Sequence, residues 1–272
     1  MSSPHADLAL ATRIESAGVR DMEAYVVAAR ESAVYSDAAF FRVAGGIATW
    51  FSQDNVLNGA AGLGIGGPVE LEEVAALEAF YRDRMTPPQL DVCPLADPSL
   101  LKWLAMRGFV AASFENVLVR GTGDIEDPPL VFPGVDVLVG EAADREQWAE
   151  LEARGFTEDE PSPQDRRVAL ASSMRDDVTR FIATVDGRPG GAGLFSAFDG
   201  VGHLNGDSTL PACRGRGAQQ AVIAARLHHA AELGCDLVYV ETTPGSASQR
   251  NMERAGFRIA YTRVTMVAPA DG

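Results

Sequence analysis

Apolar residues recur at helical spacing through residues 217–233, with one stripe at Ala218, Ala221, Val222 and Ala225 and a second at Ile223, Leu227 and Ala230. A helix with two apolar stripes is covered on two sides. Before it, residues 135–139, 179–185, 191–197 and 202–210 read as strands, 144–153 as a helix, and Asp186-Gly187 as a turn. After it, Gly234 stops the helix and 237–242 reads as a buried strand. Pro244, Gly245 and Ser246 then open a short helix that ends at Gly256. Residues 258–267 alternate well enough to close the sheet of this half.

The same order of elements occurs twice. Residues 106–119 run parallel to 254–267, each a helix end, a Gly-Phe turn (Gly108-Phe109, Gly256-Phe257) and a strand. A fainter match sets 14–20 against 139–145. Between the copies, 121–129 carries Gly121, Gly123, Pro128 and Pro129, which continue neither a strand nor a helix, so the linker is set there. The offsets of the two matches differ by about 23 residues, extra length expected in the middle of the second sheet. The predicted fold class is α/β, with domains at 1–121 and 130–269. In the first copy, 62–68 is a glycine-rich loop before a central helix at 70–82.

Charge and cysteines narrow the function. The net charge is −15, from 38 acidic and 23 basic side chains, with Lys102 the only lysine, which argues against a nucleic-acid partner. An acidic field draws in cations such as protonated amines. Cys93, Cys213 and Cys235 are odd in number and widely spaced, matching neither a disulfide framework nor a metal site and fitting a reducing cytoplasm. The first residues lack a signal-peptide pattern, and no apolar run is long enough to span a membrane. His228 and His229 point about 100° apart on their helix and read as surface residues, and no metal constellation is visible.

The most informative stretch is 209–220, where a strand ends and a long helix begins at a cluster of glycines and arginines. Glycines let backbone N–H groups approach an anion, and the first turn of a helix presents free N–H groups with partial positive charge. Two features follow downstream: a strand ending at Glu241, and Asn251 leading to Gly256-Phe257. Together these resemble the GNAT superfamily of acyl-CoA-dependent N-acyltransferases, in its form with two tandem halves. The resemblance implies a mixed, mostly antiparallel sheet flanked by helices in each half. Its phosphate signature, Q/R-x-x-G-x-G/A, is met at Arg214 and Gly217, while Gln219 stands where the family has Gly or Ala. It implies acetyl-CoA as cosubstrate, held by Ser208, Thr209, Leu210, Arg214, Gly215, Arg216, Gly217, Ala218, Gln219 and Asn251. The first half lacks the signature and resembles one that has lost CoA binding and shapes the acceptor pocket.

An amine attacks a thioester only when neutral, and a lysine-like amine costs roughly 4–5 kcal/mol to deprotonate at pH 7. A base, a desolvated pocket or a water chain must offset that cost, and a positioned base typically supplies about 10²–10⁴ in rate. The resemblance also implies a splay of two strands near Ser208–Leu210, freeing N–H groups for the thioester oxygen. In the strand before the loop, alternation puts His203, Asn205, Asp207 and Thr209 on one face unless Gly206 introduces a bulge. His203, Asp207 and Glu241 are the candidate bases. The span after Asn251 has no tyrosine to act as the acid, which leaves solvent or Ser246, with Tyr261 reading as a core residue. The expected activity is acetylation of a small-molecule amine. A tRNA-dependent aminoacyl transferase and a non-catalytic acyl-CoA sensor are the alternatives; the first predicts a basic tract that this chain lacks.

Overall fold

The computed structural model describes residues 6–125 and 131–269, and the chain divides into two compact units. The first takes the described chain up to Val117, Thr242–Pro244, and the residues from Ile259 on; the second takes Leu118–Glu241 and Gly245–Arg258. Pro128 and Pro129 of the expected linker, and the first five residues, lie outside the described residues.

The first unit runs α1 (Leu8–Glu31), β1 (Ala39–Val43), β2 (Gly46–Trp50), β3 (Gly59–Ala61), α2 (Leu71–Arg82), β4 (Gln89–Val92), α3 (Pro98–Met106) and the start of β5 (Val110–Gly121). Its strand order is β1-β2-β3-β4-β11-β5, where β11 is Arg258–Val267. Val74, Leu77, Leu100 and Leu104 of α2 and α3 pack on Val43, Ala48, Ala60 and Leu90 of the sheet.

The position of β11 corrects the sequence reading, which assigned it to the other half. It runs antiparallel to β4, with Val264 opposite Val92 and Val267 opposite Gln89. Alternation reveals that a strand has a buried face but does not name its neighbour. What ties β11 here is buried polar chemistry: Tyr261 Oη and Arg263 Nε both donate to Glu15 Oε1 of α1, at 2.8 and 2.9 Å. Tyr261 is thus a core residue.

The second unit contains β6 (Val135–Gly140), α4 (Arg145–Gly155), α5 (Pro163–Ser173), β7 (Val178–Val185), β8 (Arg188–Phe198), β9 (Val201–Thr209), α6 (Ala218–Glu232), β10 (Leu237–Thr242) and α7 (Ala247–Arg254). Its order is β5-β10-β9-β8-β7-β6, antiparallel from β6 to β9 and parallel between β9 and β10. One face packs on α6 through Phe181, Phe195, Leu204 and Val240. The other packs on α4 and α5 through Val178, Ile182, Ala192 and Leu194. Helix α5 was not expected, although Ser162, Pro163 and Asp165 form a capped start for it.

The stronger repeat holds in three dimensions. Helix α3 turns through Gly108 (φ +79°) into β5 as α7 turns through Gly256 (φ +87°) into β11. The fainter match fails, because 14–20 lies inside α1 while 139–145 spans the end of β6 and a 3₁₀ turn. The excess length inferred from that match falls with it, although β7, β8 and β9, of 8, 11 and 9 residues, are longer than β1–β3, of 5, 5 and 3.

Candidate active site

Strands β9 and β10 pair only from Val201–Leu237 to His203–Tyr239. Beyond that they part. The rest of β9, with Val240 and Glu241 of β10, the loop 213–217, the first turn of α6 and Asn251 of α7, encloses a cavity of about 920 Å³, ample for a cofactor-sized ligand. The gap opens several residues earlier than the expected Ser208–Leu210. Leu210 leaves the site: its N–H donates to Gly190 O at 2.9 Å, and its side chain packs toward the α4 cluster. Because N–H directions alternate along the pleat, the N–H of Thr209 is the one turned toward the gap.

The conditional bulge exists. Gly206 has φ +62°, and the register against β8 shifts between Ala192 and Leu194. The extra residue reverses the alternation, so His203, Asn205, Asp207 and Thr209 do not share one face. Asp207 turns to the α6 side and pairs with Arg226, and Thr209 follows it by alternation, while Ser208 turns to the α4 side and its Oγ donates to Leu151 O at 3.0 Å.

On the face left to His203, the imidazole stacks on Tyr239 at 4.3 Å between centroids and 6° between planes. Its Nε2 lies 2.8 Å from Glu241 Oε2, and Asn205 Nδ2 lies 3.3 Å from its Nδ1. An amide donating to Nδ1 leaves the ring proton on Nε2, pointed at the carboxylate. Glu241 lines the cavity, and His203 stands behind it.

The loop leads into a helix start that no side chain caps. Gly217 (φ +91°) is the N-cap of α6 and offers no side-chain cap; a Cβ there would lie 2.6 Å from Phe132 Cδ1. Glycine is therefore required by backbone conformation and by space. Ala218, Gln219 and Gln220 form the first turn, and Ala221 N–H makes the first helical bond, to Gly217 O at 2.9 Å. Gln219 Oε1 accepts from Asn251 Nδ2 at 2.6 Å, linking α6 to α7. Gly215 (φ +74°) has open space around it. Both arginines of the loop are engaged with acids, Arg214 with Glu158 and Arg216 with Asp186 at 2.9 Å, on exposed side chains where such pairs contribute little.

Sequence reasoning missed two buried groups. Arg226 is wholly buried and braces the bulge from α6. Glu152 of α4 is buried beside Gly206 with one oxygen unpartnered, and burial, reinforced by the Asp207 charge, pushes its carboxyl up to about 8. Both lie within helices, where sequence spacing does not show that a polar side chain reaches into the sheet. His229 also differs from expectation: its Nε2 meets Thr179 Oγ1 at 3.0 Å and its ring packs edge-on against Phe181 and Phe195. Ser246 caps α7, accepting from Gln249 N–H. Cys93, Cys213 and Cys235 are free. Among the described residues there is no cluster able to hold a metal ion, and no helix is long and apolar enough to cross a membrane.

Residues 145–257 match the model of the acetyltransferase (GNAT) family. A GCN5-related N-acetyltransferase from Kribbella flavida aligns over 91% of this chain and 96% of its own, at 21% identity and a TM-score of 0.65. One from Sphaerobacter thermophilus covers 86% and 77%, at 18% identity and 0.58. A tandem GNAT protein from the clavulanic acid biosynthesis pathway covers 76% and 71%, at 18% and 0.56. At these identities the likeness concerns fold. No curated protein matches in sequence. The family match runs from α4 to the end of α7, so it is this segment of the second unit that matches the GNAT acetyltransferase family, while the chain as a whole shares the fold of two GNAT-like halves.

Proposed function

We propose that the protein transfers an acetyl group from acetyl-CoA to the amine of a small molecule. The observation that carries this reading is the uncapped start of α6 behind Gly217, opening on a large cavity beside the parted ends of β9 and β10. Free N–H groups of Ala218, Gln219 and Gln220, with Arg214 and Arg216 released from their acids, would take the pyrophosphate. The Gln219–Asn251 pair fills the place of the small residue usual in the family signature and leaves the backbone N–H groups available. The thioester then lies along the gap, its oxygen near the Thr209 N–H.

Glu241 is the base in this reading. It accepts the proton of the incoming ammonium, directly or through one water, and the His203 Nε2–H steadies its charge. The neutral nitrogen bonds to the carbonyl carbon, the C–S bond breaks, and the nitrogen's second proton passes through solvent to the departing thiolate, leaving a neutral amide and the CoA thiol. Asp207, given up to Arg226, has no part in proton transfer here. The net charge of −15 and the Glu241 carboxylate favour a cationic acceptor.

The test is calorimetric titration with CoA and acetyl-CoA, for the wild type and for Gln219→Glu. The substitution sets a carboxylate on the first turn of α6 without changing side-chain shape, and a loss of affinity of about tenfold is expected. Gly217→Asp is a poor probe, since its Cβ would strike Phe132. Absence of CoA binding by the wild type would refute the reading; binding without turnover across an amine panel would favour an acyl-CoA sensor.

A further inference from the structure

The bulge in β9 is held by one side chain. Arg226 is wholly buried, and its Nη1 donates to Leu194 O of β8 at 2.9 Å and to Asn205 O of β9 at 3.1 Å, while Nη2 pairs with Asp207 just past the bulge. The sheet is shaped to admit it. A Cβ on Gly193, opposite the bulge, would lie 2.9 Å from Arg226 Cζ and 2.6 Å from Val222 Cγ1. On the other face, a Cβ on Gly206 would lie 3.0 Å from Glu152 Oε1 and from Trp148 Cη2. Two glycines, one on each strand, thus leave room for a guanidinium on one face and a buried carboxyl on the other.

A buried ion pair is an expensive means of joining a helix to a sheet, and an apolar pair of similar volume commonly serves as well or better. The return is in geometry. Without the extra residue, β9 would keep its alternation, Asp207 would share the face of His203 and Glu241, and the Thr209 N–H would turn toward β8. With it, Asp207 turns to the α6 side, where Arg226 pairs with it, and the N–H is turned to the gap.

We propose that the Arg226–Asp207 pair is a positioning device for acyl transfer, fixing the bulge at Gly206 so that the Thr209 N–H is directed at the thioester oxygen. The proposal rests on the reading of the β9–β10 gap as the acyl site. Arg226 touches no substrate; it acts through the strand.

The experiment compares the wild type with the charge-free double variant Arg226→Met/Asp207→Asn and with Arg226→Lys, which keeps a cation beside Asp207 but cannot also span both carbonyls. Two quantities are measured: the dissociation constant for CoA, and the infrared carbonyl band of bound [1-¹³C]acetyl-CoA. The wild type should polarise the carbonyl and lower its stretching frequency relative to free acetyl-CoA. In the folded variants the shift should be lost, with the CoA constant within about twofold of wild type. Either variant binding CoA normally and retaining the full carbonyl shift would overturn the proposal and leave the cofactor reading intact. A wild type that binds neither CoA nor acetyl-CoA would overturn both.

Discussion

Glu152 makes the stability of the second unit depend on pH in an unusual direction, and Glu152→Gln should remove that dependence. The carboxyl is buried between Trp148 and the Gly206 bulge, faces the Asp207 charge, and is raised from 4.5 to about 8. Between these values the folded state holds a proton that the unfolded state has released, so stability falls as pH rises from about 4.5, and levels off above about 8. At 1.36 kcal/mol per pH interval, the cost at pH 7 is about 3 kcal/mol, a large part of the stability of a typical domain. Glutamine cannot ionise. Urea unfolding at pH 5 and pH 8, in a Trp50→Phe/Trp103→Phe background where Trp148 reports on the second unit, isolates the effect. The wild type should lose about 3–4 kcal/mol more than the variant between the two pH values. Equal losses would show that Glu152 is ionised in the folded protein and refute the reasoning, whatever the glutamine amide costs at a fixed pH.

In the first unit, Glu15→Ala removes the nearer carboxylate of the buried Arg263, leaving its 3.9 Å pair with Glu115, and removes the acceptor of Tyr261, so a loss of about 3 kcal/mol is expected from urea unfolding followed at Trp50 and Trp103. Glu241→Gln should lower turnover with an accepted amine by roughly 10²–10⁴ and leave the CoA constant unchanged by calorimetry. The same titration of the wild type should give one CoA per chain, not two.

The periodic features were legible in the sequence: α6, β10, the Gly-Phe turns, and the strand-to-helix loop with its glycines. They depend on local pattern, and local pattern is what a sequence displays. Three things were not legible, for separable reasons. The pairing of β11 with β4 depends on buried partners, Glu15 and Arg263, lying 248 positions apart in sequence. The bulge at Gly206 was foreseen only as a condition, because glycine permits positive φ without requiring it. Arg226 and Glu152 were invisible because a polar residue within an amphipathic helix normally faces water, and only the neighbouring glycines Gly193 and Gly206 reveal that these two reach into the sheet.

The two halves share a plan, yet they present opposite electrostatics at the same point of it. In the second, α6 starts at Ala218 with no acid in its first turn and no side chain closing its N–H groups. In the first, the loop before α2 keeps its glycines in positive φ, with Gly62 at +75° and Gly64 at +73°, but the helix opens with Glu70, Glu72 and Glu73. Glu73 accepts from the N–H of Glu70 at 2.9 Å and from that of Ala44 at 3.1 Å. The partial positive charge of this helix end is therefore already answered by carboxylates of its own chain. A pyrophosphate would have to displace them against like-charge repulsion, which is stabilising for the helix and prohibitive for the ligand. Acids placed where a helix favours them for its own stability thus oppose an anion in this half, with the loop geometry still in place.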